Sequence, residues 1–339
     1  MLRFLVPSFS FLLLSYLQAD APKGWQPEIS EIRIHSTADQ SEQSALTWSP
    51  NVKEARPLLV GLHTWGGDYK QASNGHVYAQ WCLDRGWHFV YPHFRGPNKT
   101  SAAMGSDLAV QDIVDAVEYL KKTQSVDSSR IYLIGASGGA HMSMLMAGRH
   151  PEIWAGVSAW CGISDIPAWH ADHVKNGVAD HYAQNIESAL GGPPVGELLQ
   201  EGIHRSPLTY LEHAKSVPLD LNHGIHDGRL GSVPFRHSLL AFNQVAETPL
   251  NRDDIFSYYE TEQRPTTWAA PQVDALYGSK AVKFRAVSGN ARITLFDAGH
   301  EILYTPSLNW LAQQRKGQPA VWTIDTPIPV EADDTKSGL

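Results

Sequence analysis

Short apolar runs alternate along the chain with stretches whose apolar residues recur at helical spacing. Pro57–His63 (PLLVGLH) and Arg130–Gly135 (RIYLIG) are almost continuously apolar, as strands buried on both faces are. Trp87–Pro92, Ala155–Trp160, Val217–His223 and Ile293–Asp297 share that character, and Ile29–His35 and Ala45–Trp48 read as two short opening strands. Helical patterns fall between them at Val77–Arg85, Leu108–Lys122, Gly139–His150, Val233–Ala246 and Glu301–Gln314. In Leu108–Lys122, Ile113, Val117 and Leu120 lie at helical spacing, and the closing lysines suit the negative end of the helix dipole. Strand and helix alternating in this way predict an α/β domain with a mostly parallel central sheet flanked by helices.

Two stretches break the rhythm. Residues 163–211, rich in His, Trp, Asn, Gly and Pro, and residues 248–285 both follow strands, on the edge of a parallel sheet where ligands bind. The first is expected to form a small cap and the second a further insertion, within one catalytic domain over 22–316. Residues 317–339, rich in Pro and Asp, are expected to be an extended tail. At the other end, Arg3, the apolar run Phe4–Leu17 and the small residues Ala19-Asp20-Ala21 predict an export signal over 1–21, hence a secreted or periplasmic protein. The apolar run is too short for a comfortable span, so no stable membrane insertion is expected after its removal.

Composition narrows the choice of partner. With 42% hydrophobic and 18% charged residues the chain has material for a large core. A net charge of −8 and the lack of any basic stripe argue against nucleic acid. The 2 cysteines, Cys82 and Cys161, fall in a helical run and at a strand end, and neither a disulfide framework nor a metal site is expected from them.

The candidate chemistry begins at Gly135-Ala136-Ser137-Gly138-Gly139, a G-x-S-x-G pattern between the strand RIYLI and the helical run AHMSMLMAGRH. A strand-to-helix elbow of this kind projects a serine Oγ above the sheet at the positive end of the helix, with small neighbours leaving room for a strained turn. A serine nucleophile needs a base, and His300, on the loop after the strand ITLF, has the position and chain order for it. Asp227, after the strand PLDL, is the expected acid that would accept from His300 Nδ1–H, ahead of Asp297 and Asp165. The oxyanion is expected to meet the N–H of Gly138 and that of Trp65, with Thr64 the alternative to the latter.

These residues resemble the prolyl oligopeptidase-like branch of the α/β-hydrolases. The resemblance is carried by Phe94-Arg95-Gly96 with Gly105, the helix around Gln111-Asp112-Ile113-Val114-Asp115-Ala116, the elbow, His223-Gly224-Ile225-His226-Asp227 followed by Val233-Pro234, and Gly299-His300. It implies the α/β-hydrolase fold and the same triad of Ser137, Asp227 and His300. Family peptidases carry an N-terminal propeller, for which the roughly thirty residues between the expected export signal and Pro57 leave no room, and the loop from Asp227 to Val233-Pro234 is longer than usual. The expectation therefore moves toward single-domain esterases, including carbohydrate acetyl and feruloyl esterases.

A serine esterase acting on small-molecule or polysaccharide esters, with no metal or organic cofactor, is the reading these features support. A prolyl oligopeptidase-like peptidase is the alternative, and a non-catalytic binding protein on the same scaffold is a third. Trp160 and Trp169, near strand ends, are candidate sugar-stacking residues, and Arg95, His226 and Arg229 are candidate contacts to an acidic substrate group.

Overall fold

The computed structural model describes residues 21–330, so the predicted export signal lies almost wholly outside the described residues. Among the described residues eleven strands are formed: β1 Ser30–His35, β2 Glu42–Trp48, β3 Arg56–Leu62, β4 His88–Pro92, β5 Val126–Ala136, β6 Gly156–Trp160, β7 Val174–Lys175, β8 Val178–Ala179, β9 Leu219–Gly224, β10 Val282–Ser288 and β11 Ala291–Phe296. The helices are α1 Ser73–Arg85, α2 Asp107–Thr123, α3 Gly138–Arg149, α4 Ile166–Asp172, α5 His181–Leu190, α6 Leu198–His204, α7 Arg236–Val245, α8 Arg252–Thr261 and α9 Tyr304–Gln313. Nine strands form one sheet in the order β1-β2-β4-β3-β5-β6-β9-β11-β10. The six from β4 to β11 run parallel, and an antiparallel pairing closes each edge. The predicted mostly parallel sheet is what forms.

Period-two alternation sorts the central strands between two cores. Leu58, Val60 and Leu62 of β3 and Ile131 and Leu133 of β5 face one way, against Ile113 and Val117 of α2, Met142 and Leu145 of α3 and Leu239 of α7. Leu59, Tyr132 and Ile134 face the other way, against Tyr78 and Trp81 of α1 and Leu308 and Trp310 of α9. Helix α2 starts where Ser106 accepts from Ala109 N–H and ends at Lys121 and Lys122, satisfying first-turn donors and complementing the dipole.

The expected insertions look different in the structure. Residues 163–211 fold as α4, the β7–β8 hairpin, α5, α6 and short 3₁₀ turns. Ile163, Ile166, Trp169, Ile186 and Leu190 pack on Trp65, Met104 and Val233. The second stretch is shorter than read from the sequence, because β10 occupies its end and pairs antiparallel with β11. Lys283 and Arg285 interrupt the apolar pattern of this edge strand, while Gly289-Asn290 marks the tight turn into β11, with Gly289 at φ 57°. Residues 317–330 run along α9 without helix or strand, Trp322 stacking on Trp310 at 5.5 Å and Asn309 exchanging two hydrogen bonds with the Ile328 backbone. Cys82 and Cys161 are unpaired and buried. Among the described residues no helix is long and apolar enough to cross a membrane.

Candidate active site

β5 passes into α3 through a single strained residue. Ser137 has φ 57° and ψ −121°, a conformation L-residues rarely hold, and its N–H donates to Trp160 O at 2.8 Å. The glycines around it are set by close approach. A Cβ on Gly135 would lie 2.3 Å from the Gly139 carbonyl, and one on Gly138 would lie 2.5 Å from both N and Cα of Trp65. The two backbones expected to supply oxyanion donors are therefore pressed together. The Thr64 carbonyl accepts from Gly67 N–H at 3.3 Å, and in a trans peptide this aims Trp65 N–H the opposite way. Among the described residues neither Trp65 N–H nor Thr64 N–H has an acceptor, and it is the approach of the Trp65 backbone to Gly138 that favours Trp65 over Thr64 as the second donor.

Across the sheet, β9 and β11 end side by side and bring Asp227 and His300 together, His300 Nδ1 donating to Asp227 Oδ2 at 2.5 Å. Asp227 is fully buried, and four donors satisfy its two oxygens. Oδ1 accepts from the N–H groups of Gly228 (2.9 Å) and Val233 (3.0 Å), and Oδ2 accepts from His223 Nε2 (3.0 Å) as well as from His300. Burial pushes this carboxyl up, but the hydrogen bonds from His223 and His300 and the charges of the two imidazoles more than offset it and hold the group well below the usual carboxylate range. A carboxylate on Nδ1–H fixes the tautomer and leaves Nε2 of His300 free to take a proton.

Ser137 Oγ is not hydrogen-bonded to His300 in this structure, and such contacts tighten when substrate binds. The end of β6 connects the two: Trp160 O holds Ser137 N–H, and the next residue, Cys161, directs its Sγ at Glu301 O (3.4 Å) beside His300. The rival acids are engaged elsewhere. Asp297 pairs with Lys283 (2.9 Å) and His226 (2.8 Å), and Asp165 caps α4 through Ala168 N–H (3.0 Å).

Cys161, Asp227 and His300 are the one trio of metal-ligating types among the described residues, with ligand atoms within 4.8 Å of one another. They do not suit a cation. Both Asp227 oxygens are occupied by N–H donors, His300 Nδ1 carries the proton it donates, and burial raises the Cys161 thiol far above its ordinary value, keeping it protonated.

His300 opens onto a cleft of about 1360 Å³, walled by the 228–232 loop and by Tyr182, Tyr259 and Tyr304. The residues expected to contact substrate mostly lie outside it. Trp160 is fully buried between Phe296 and Tyr277, its Nε1–H donating to Ser158, so it belongs to the core. Trp169 is also fully buried: it braces Trp65 edge-on at 4.6 Å and donates to Ser232 O at 2.8 Å, and supports the wall without facing the cleft. Arg95 is consumed by Asp112, Asp39 and Ser36, an ion-pair network that ties its loop to α2. His226 is spent on Asp297. Arg229 alone of the five lines the cleft, lying over the Tyr259 ring at 4.6 Å and paired with Glu262 at 3.2 Å. The cleft tyrosines went unread because they come from three separate helices, and no local pattern distinguishes them from core aromatics.

A model of the prolyl oligopeptidase family matches residues 75–258, just over half of the chain. Among curated proteins, feruloyl esterase B of Thermothelomyces thermophilus is 28% identical over 117 residues, which cover 32% of this chain and 40% of that one. Acetylxylan esterase of Coprinopsis cinerea is 28% identical over 176 residues, 46% of each chain. The chain thus spans less than half the length of these relatives. Among solved structures, prolyl oligopeptidase B of Galerina marginata superposes with a TM-score of 0.51 at 16% identity, over 64% of this chain and 31% of that one, a likeness of fold.

Proposed function

The chain belongs to the prolyl oligopeptidase family, with the α/β-hydrolase fold of a serine hydrolase, and on that premise we propose that it is an esterase that removes acyl groups, acetyl or feruloyl, from carbohydrate. Ser137, Asp227 and His300 are its triad in this reading. The observation that carries it is the pairing of two prepared strand ends, a serine elbow pressed on an acceptor-free N–H and a buried carboxylate 2.5 Å from an imidazole.

In the reaction, Ser137 Oγ attacks the ester carbonyl and its proton passes to His300 Nε2. The tetrahedral oxyanion accepts from the N–H groups of Gly138 and Trp65. Collapse breaks the ester C–O bond, and the departing alcohol takes the proton from His300. Water, deprotonated in turn by His300, attacks the acyl-serine and releases the acid. Asp227 stays ionised throughout and stabilises the imidazolium. The substrate class is supported by the esterase relatives and by the aromatic character that Tyr182, Tyr259 and Tyr304 give the cleft wall. Such a substrate fits an exported enzyme, as the Arg3 and Phe4–Leu17 pattern proposes.

Labelling by a fluorophosphonate, with p-nitrophenyl acetate turnover, tests the chemistry. Ser137→Ala is expected to abolish both, lowering kcat by three to six orders of magnitude (roughly) with an unchanged circular dichroism spectrum. A folded variant with parental turnover would sink the triad. Release of acetate or ferulate from acylated xylan supports the substrate class, whereas aminoacyl or prolyl anilides cleaved as fast as aryl esters select a peptidase instead.

A further inference from the structure

We propose that His223 is a positioning residue of the catalytic acid, an imidazole placed in the aliphatic core to hold Asp227 and its loop in register; the inference rests on the triad reading above. Its surroundings make the residue type unexpected. Leu219, Leu221 and His223 share one face of β9, and the two leucines belong to the core under α7. A fully buried imidazole there costs free energy unless its nitrogens are paired, and an aliphatic side chain would fill the space at lower cost.

Both nitrogens are paired, and the pairing is informative. Nε2 lies 3.0 Å from Asp227 Oδ2 and 2.9 Å from Val233 O, and Nδ1 lies 2.7 Å from Ser238 Oγ on α7. An ionised carboxylate and a carbonyl can only accept, so Nε2 carries the proton and is shared between them. The Ser238 hydroxyl pairs with Nδ1 and locks the orientation of the ring.

One N–H thus touches both parts of the acid's support. It donates to the same oxygen that holds His300, and it fixes the carbonyl of Val233, whose own N–H holds the other oxygen at 3.0 Å. No aliphatic replacement supplies that donor. With it removed, Oδ2 keeps His300 as its single donor, and the 228–233 loop loses its tie to β9.

The experiment compares His223→Leu with His223→Gln, whose side-chain Nε2–H₂ reaches about as far as the imidazole Nε2. The Leu variant is expected to lose kcat on the order of tenfold with KM within about twofold, the loss of one hydrogen bond to a charged group. It is also expected to shift the downfield proton resonance of His300 Nδ1–H. The Gln variant is expected to recover most of the rate and the parental resonance. If the Leu variant does not fold, His223→Asn, whose amide stops short of Asp227, takes its place. Parental kcat and resonance in the variant lacking the donor overturn the proposal, as does a Gln variant no better than Leu. Asp227→Asn and Ser137→Ala run alongside. If they keep parental turnover the triad itself fails, whereas if they are inactive while the donor-free variant is parental, only the role of His223 fails.

Discussion

The strand-end rim and the cleft wall of this protein are built on opposite plans. At the rim, backbone does the positioning: Ser137 sits in an elbow with no room for side chains on its flanking glycines, and Asp227 is held by two main-chain N–H groups and two imidazoles. The wall is assembled from side chains of distant segments, Tyr182 from α5, Tyr259 from α8 and Tyr304 from α9. Ion pairs hold that wall, Arg236 with Asp172 and Arg229 with Glu262. In the proposed esterase, a rim made of backbone and buried carboxylate would fix the reaction, whereas a wall of partly exposed side chains would leave substrate choice open to change.

The comparison breaks most sharply at Asp227. Asp227→Asn is expected to lower kcat by about 10⁴-fold, because an amide no longer fixes the His300 tautomer or stabilises its cation. The same variant tests the electrostatics through melting temperature. A carboxyl whose folded pKa is depressed stabilises the fold at pH values above its unfolded pKa, and that stability is lost as pH falls toward the folded value. The melting-temperature gap between parent and variant is therefore expected to be widest near neutrality and to narrow below about pH 4. A gap that stayed constant with pH would contradict the depressed carboxyl.

The next effect is expected where the two plans meet, at Gly231. A Cβ there would lie 2.2 Å from Asp227 Oδ1 and 2.8 Å from His300 Cβ. Gly231→Ala is expected to cut kcat by roughly 10- to 100-fold through displacement of the Asp227–His300 pair, with folding retained. Parental kcat would show that the loop moves freely over the triad.

The smallest effect is expected in the wall. Tyr259→Ala removes the ring over which Arg229 and Arg236 lie at 4.6 and 4.7 Å. It is expected to raise KM for an acylated oligosaccharide about fivefold, the worth of one aromatic contact, with kcat for p-nitrophenyl acetate unchanged. A fall in kcat for the small ester instead would mean that the wall and the rim are coupled.

Legibility followed the same division. The elbow could be read because its signal is contiguous: an apolar run, a small-x-Ser-small-small turn and a helix within some twenty residues. Asp227 and His300 could be read because chain order and strand ends limit the candidates. Trp160 and Arg95 were misread for a common reason: both sit near strand ends in the sequence, but Trp160 is enclosed by Tyr277 and Phe296, and Arg95 is neutralised by Asp39 and Asp112. Strand β10 escaped notice because an edge strand tolerates charges at its exposed positions, and the Gly289-Asn290 turn was the signal that could have found it.

By itself the sequence determined the parallel sheet, the strand-to-helix elbow at Ser137 and the placing of Asp227 and His300 after neighbouring strands, since periodicity and turn chemistry act over a few neighbouring residues. Only the tertiary structure decided that His223 rather than His226 meets the acid, that Trp65 N–H lacks an acceptor, and that tyrosines rather than tryptophans face the cleft. Those outcomes depend on which side chains distant segments bury and which they leave open, and burial is settled by packing across the whole domain.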